Sequence, residues 1–159
     1  MKLNGPLPID LKTFFLEGKF DYVRPGRSKE WLLHNFPDPD HMPEVVRDPI
    51  WLFGNIEFHF NQEELWMVFS DYLDDLQGGP SLELDRWFLE PGTTKTLVEV
   101  QAILNEAGAD YQKVTHPSVD LITLKLTSGV ELTFGPEDDE AEGVSANEYL
   151  LRAFAWKGE

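Results

Sequence analysis

The sequence predicts an α+β fold in which two tandem helix-plus-three-strand units form one antiparallel sheet with helices packed on one face. Three observations carry that expectation. Between Asn55 and Phe60 the apolar Ile56, Phe58 and Phe60 alternate with Asn55, Glu57 and His59, the period of a strand with one buried and one wet face. Leu121 to Thr127 and Val130 to Phe134 repeat the alternation on either side of Ser128-Gly129, a hairpin signal. Each group of strands follows a short helical pattern that opens with Ser or Thr.

Taken in order, residues 1 to 9 read as an irregular lead, and Asp10 caps a helix from Leu11 to Glu17 that Gly18 ends. Phe20 to Val23 reads as extended, and Pro25-Gly26 turns the chain. Ser28 stands at an N-cap position before Trp31, Leu32 and Phe36 at helical spacing, and Pro37 stops that helix. Four prolines make Pro37 to Pro49 a loop. Ile50 to Phe53, Asn55 to Phe60 and Leu65 to Asp71 then form a meander. Periodicity fades from Asp74 to Pro91, after which Thr94 is expected to cap a helix from Lys95 to Ala107, with Gly108 as its stop. Strands follow at Tyr111 to Thr115, Leu121 to Thr127 and Val130 to Phe134. The acidic run at 135–143 reads as a solvated loop, and Ser145 with Glu148 forms a capping box ahead of a C-terminal helix over 145–156. One domain is expected for 1–159, with repeat units at roughly 20–73 and 90–135.

The repeat rests on two matches in the same order. Gly26 to Leu32 matches Gly92 to Val98 as G-x-[ST]-K-x-apolar-apolar, and Ile56 to Phe60 matches Val130 to Phe134. Such tandem units resemble the architecture of the beta-lactamase-inhibitor protein and of the small outer-membrane assembly lipoproteins. A more specific resemblance is to an uncharacterised bacterial family with G-x-S-K, a Pro-Asp loop, W-x-[FY]-G-x-[IL]-E-F-H-F and S-D-Y, present here as Gly26 to Lys29, Pro37 to Asp40, Trp51 to Phe60 and Ser70 to Tyr72. The resemblance implies the fold and a bacterial accessory role, with no established activity.

Composition narrows the function. The chain of 159 residues is 42% apolar and 13% aromatic, enough to bury on the order of 70% of its unfolded surface. It has no Cys, which excludes disulfides and thiolate ligands, argues for a reducing compartment and disfavours the lipoprotein branch. With 29 acidic and 13 basic residues the formal charge is −16, which repels phosphate backbones and anionic membranes and steers a basic protein towards the chain. No run of eighteen apolar residues and no secretory leader is legible, so a cytoplasmic location is expected.

Side chains for chemistry are sparse. His34, His41, His59 and His116 lack paired metal-ligand spacing, and Asp38, Asp40, His41 and Glu44 lack the pattern of a calcium loop, as does Asp138 to Glu142. No metal or other cofactor is expected. Glu57 and His59 share a strand face with Asp71 expected nearby, the one arrangement that could serve a small hydrolase or metal-dependent enzyme, though no nucleophile elbow accompanies it. The sheet face opposite the helices is the stronger candidate. It is expected to display Trp51, Phe53, Glu57, His59, Trp66, Val68, Thr123, Lys125 and Glu131, aromatics among charges, as protein-binding surfaces do. Glu57, His59, Trp66, Lys125 and Glu131 are the expected partner-binding residues of a non-catalytic module of the immunity or inhibitor type. The expected partner is a basic toxin or enzyme, and a homodimer through the same face is the other alternative.

Overall fold

A computed structural model describes residues 6–137 and 145–157. Its fold is α+β, with a seven-stranded antiparallel sheet, a two-stranded parallel sheet and three helices. Strands β2 (Ile50–Phe53), β3 (Ile56–Asn61) and β4 (Glu64–Ser70) form one meander, and β6 (Tyr111–His116), β7 (Leu121–Leu126) and β8 (Val130–Gly135) form another. Between them runs β9 (Leu150–Lys157), giving the order β2-β3-β4-β9-β8-β7-β6.

The C-terminal segment is therefore a central strand and not the helix its sequence suggests. Leu151, Phe154 and Trp156 point into the core while Ala153 and Ala155 lie on the other face. A register shift opposite Thr133 and Phe134 leaves Arg152 as the extra residue, so the inward positions Leu151 and Phe154 stand three apart, as on a helix. Ser145 does act as a cap, but of a single 3-10 turn, Ala146–Glu148. The acidic loop expected at 135–143 lies, from residue 138 on, outside the described residues.

Helices α1 (Leu11–Glu17), α2 (Lys29–Asn35) and α3 (Leu97–Glu106) bury their apolar residues in the same cluster as Phe58, Val68 and Trp156, so all three cover one face of the sheet. Phe14 of α1 meets Phe154 and Trp156 edge-on at centroid distances of 5.5 and 5.4 Å. Phe36, at the C-terminus of α2, packs on Phe53 and Phe58 at 5.5 and 5.7 Å. Such aromatic pairs add about 1 kcal/mol each beyond the area they bury.

The described part of the expected irregular lead, from residue 6 on, contains a strand. Leu7–Asp10 is β1, paired in parallel with β5 (Leu82–Asp85), and buries Leu7 and Ile9 against the core. Asp10 accepts from the backbone of Lys12 and Thr13, as an N-cap should, and Gly18 ends α1 in the left-handed region. There a Cβ would stand 2.5 Å from the Ser128 carbonyl oxygen, so only glycine fits. Phe20 to Val23 is a tight turn closed by Val23 N–H to the Phe20 carbonyl and not an extended segment. The cap of α3 is Thr96, not Thr94: its hydroxyl accepts from Glu99 N–H and the Glu99 carboxylate accepts from the Thr96 backbone, a reciprocal capping box.

Both halves run helix, then three strands, yet their sense differs. Because β9 is antiparallel to both β4 and β8, those two strands run in the same direction. One meander advances inward from the β2 edge and the other inward from the opposite, β6 edge. With every helix on one face, no rotation superposes the two. Moreover, Ile56 to Phe60 falls on β3, a second strand, whereas Val130 to Phe134 falls on β8, a third strand.

Candidate functional site

The face of the sheet away from the helices is assembled from the outward residues of all seven strands. One transverse row runs Leu52, Glu57, Phe69, Ala155, Glu131, Lys125, Gln112, each directly paired with the next. A second, shorter row runs Ile50, His59, Met67, Lys157. Cross-strand partners in an antiparallel pair share a face, which corrects three expectations. Phe53 pairs with Ile56, and Trp51 with Phe58, so Trp51 and Phe53 are core residues, 1% and 0% exposed. Ile50 and Leu52 take the outer positions and are 38% and 41% exposed.

Val68 is the third correction, and a bulge explains it. His59 pairs with Met67 but Phe60 pairs with Leu65, so Trp66 is the additional residue on β4. The extra residue returns Val68 to the core beside Trp156 and leaves Trp66 43% exposed. Its ring lies edge-on to His59 at 6.2 Å, and His59 is in turn edge-on to Phe69 at 6.0 Å. His59 Nε2 and Glu57 Oε1 are 2.9 Å apart, both half-buried, so the imidazole is held in place between a carboxylate and two rings.

The expected site residues thus form two groups. Glu57, His59 and Trp66 are contiguous on β3 and β4. Glu131 and Lys125 face each other on β8 and β7, and Glu131 lies three strand spacings, about 14 Å, from Glu57. Phe69 and Ala155 lie between the groups, and together with Ile50, Leu52, Met67 and Ala153 they supply the apolar part of the face that the sequence reading omitted. Thr123 is on this face but buried, with its hydroxyl between His116 Nε2 at 2.9 Å and the Thr133 hydroxyl at 3.4 Å. Asp71 follows the end of β4, four residues beyond Met67, the partner of His59, which is about 13 Å along a strand. Asp71 is only two residues beyond Phe69, the partner of Glu57, but among the described residues the three are not grouped as a metal would require.

Other sequence motifs have structural work. Lys29, of the G-x-S-K motif, is 4% exposed and donates from Nζ to the carbonyls of Val46 and Asp48 at 3.1 and 2.8 Å. The Phe60 and Trp51 rings lie 5.1 and 5.7 Å from the same ammonium, so Lys29 ties the Pro-rich loop to the sheet. Asp40 accepts from Gly54 N–H at 2.9 Å and donates its own N–H to Leu52, closing the loop over the β2 edge. Among the described residues no three His, Asp or Glu are grouped as a metal would require, and no helix is long and apolar enough to cross a membrane. The chain matches no protein-family model, no curated protein and no solved structure.

Proposed function

We propose that the chain is a non-catalytic protein-binding module of the immunity or inhibitor type that engages a basic toxin or enzyme through the open face of its sheet. The observation that carries this reading is the exposed patch of Ile50, Leu52 and Trp66 around the fixed Glu57 and His59 pair. Aromatic and aliphatic anchors surrounding a hydrogen-bonded polar pair are the make-up of an interface hot spot. A chain charge of −16 accelerates encounter with a cationic partner, and Glu57 and Glu131 set its orientation. A bacterial, cytoplasmic setting follows from the absence of Cys and from the resemblance carried by Trp51 to Phe60.

The likeness to the beta-lactamase-inhibitor architecture is part of the proposal and rests on the shared helix-then-meander order of the two halves. Their opposite sense means the likeness is one of element order. A duplicated unit that kept its helix on the same face would have kept its sense as well.

The test is capture of partners from the native host by the purified chain, by Trp66→Ala and by Glu57→Lys. A partner held by the parent chain and lost at least tenfold by both variants supports the reading; equal capture by all three removes it. A small enzyme is the second reading, and the 2.9 Å contact between Glu57 and His59 is the one observation that favours it. Metal analysis and a hydrolase screen with His59→Ala as control decide it, activity lost in the variant being the outcome in its favour. Self-association through the same face, the third reading, predicts twice the chain mass in light scattering.

A further inference from the structure

We infer that a cleft at one end of the molecule, which shares Lys157 with the row that runs from His59 across the open face, binds a small polyanion carrying two or three negative charges on phosphate or carboxylate groups. The cleft has a volume of about 950 Å³ and lies between the C-terminus of α1, the turn that follows it, the β7–β8 hairpin and the end of β9. In a chain with only 13 Lys and Arg, four of them, Lys19, Arg24, Arg27 and Lys157, line this one cleft. Among the described residues Glu17 and Asp21 are the carboxylates in its wall, so the described lining carries a net charge of about +2 within a molecule of −16.

Only Lys19 of the four has a carboxylate partner among the described residues, Glu17 at 3.5 Å, on an exposed pair that salt screens. The Arg27 guanidinium lies over the Trp31 ring, 4.2 Å from its centroid, a contact that does not use its hydrogen-bond donors. The cleft also holds a neutral donor. Trp156 lines it, and its indole nitrogen faces the Gly129 corner. An indole N–H only donates, so it suits an oxyanion. A Cβ at Gly129 would stand 3.5 Å from the indole nitrogen, so the glycine at that hairpin corner leaves the N–H open to the cleft. An oxyanion seated there accepts from the indole and from Arg24 and Arg27, and a second anionic group reaches Lys157 or Lys19. Net charge +2 sets the ligand's charge at two or three, because a monoanion leaves the guanidinium pair half-satisfied.

The experiment is titration of the full chain, labelled with ¹⁵N, with inorganic pyrophosphate and separately with citrate at 150 mM sodium chloride, reading the indole N–H resonances. Trp156→Phe assigns the relevant peak. Binding of either probe is expected to move the Trp156 peak saturably with Kd below about 1 mM, and Arg24→Gln with Arg27→Gln is expected to raise that Kd at least tenfold. A control pair outside the cleft, Lys12→Gln with Lys113→Gln, is expected to change it less than twofold. Movement with only one probe identifies phosphate or carboxylate as the preferred group. The inference is overturned if neither probe moves the Trp156 peak, or if both double variants weaken binding equally.

Discussion

Lys29 and Glu63 show how burial decides the worth of a contact. The pair is 3.7 Å apart, but the Glu63 side chain is 75% exposed, so Glu63→Ala is expected to change stability by less than about 0.5 kcal/mol in urea denaturation. Lys29→Met keeps the apolar stem and removes the donor to Val46 and Asp48, at an expected cost of about 1 to 3 kcal/mol. Sequence marked Lys29 as part of a motif but could not show that its ammonium would be enclosed, because the carbonyls that accept from it lie 17 and 19 residues away in an irregular loop. Trp51 and Phe53 were readable in principle. A two-residue turn at Gly54-Asn55 obliges Phe53 to pair with Ile56, and pairing alone puts both on the buried face.

At the level of elements, caps and clean alternation were legible, and bulges were not. Asp10 and Ser28 cap their helices as read, and β2, β3, β7 and β8 fall within a residue or so of their expected bounds. The two adjacent central strands β4 and β9 each carry one extra residue, Trp66 and Arg152, and an extra residue turns a spacing of two into one of three. That shift displaced Val68 to the wrong face and, with the two alanines of β9, made a strand read as a helix. The strand assignment predicts that β9 amides exchange with solvent only through global opening, whereas α1 amides exchange by local fraying; native-state hydrogen exchange distinguishes them. Phe154→Ala in the same strand is expected to cost about 3 to 5 kcal/mol.

The α3 cap has a pH dependence with a definite sign. Hydrogen bonds from the Thr96 backbone and hydroxyl hold the Glu99 carboxyl below its ordinary value, so it stabilises the fold above the usual carboxylate range and loses that contribution as pH falls through the lowered value. Thr96→Ala, expected to cost about 1 kcal/mol at neutral pH, should cost less once Glu99 is protonated. Thermal unfolding of both chains across the acid range measures the convergence.

Across the whole molecule, an acidic chain covers one sheet face with three helices and presents on the other a patch whose anchors come from β2 and from the β4 bulge. The alternation in β3 predicted that face, and the topology that joins its parts was out of reach, since β9 enters the centre of the sheet only after the other six strands are complete in sequence. The central claim is that this patch, and not the helix side, meets a protein partner. Site-specific photo-crosslinking in the native host tests it most directly, with the probe placed at Trp66, at Leu52 and at Val98, an exposed residue of α3. A single adduct of the same mass from positions 66 and 52, absent from position 98, is the predicted result. Adducts from all three positions alike, or none from the two on the open face, would contradict it.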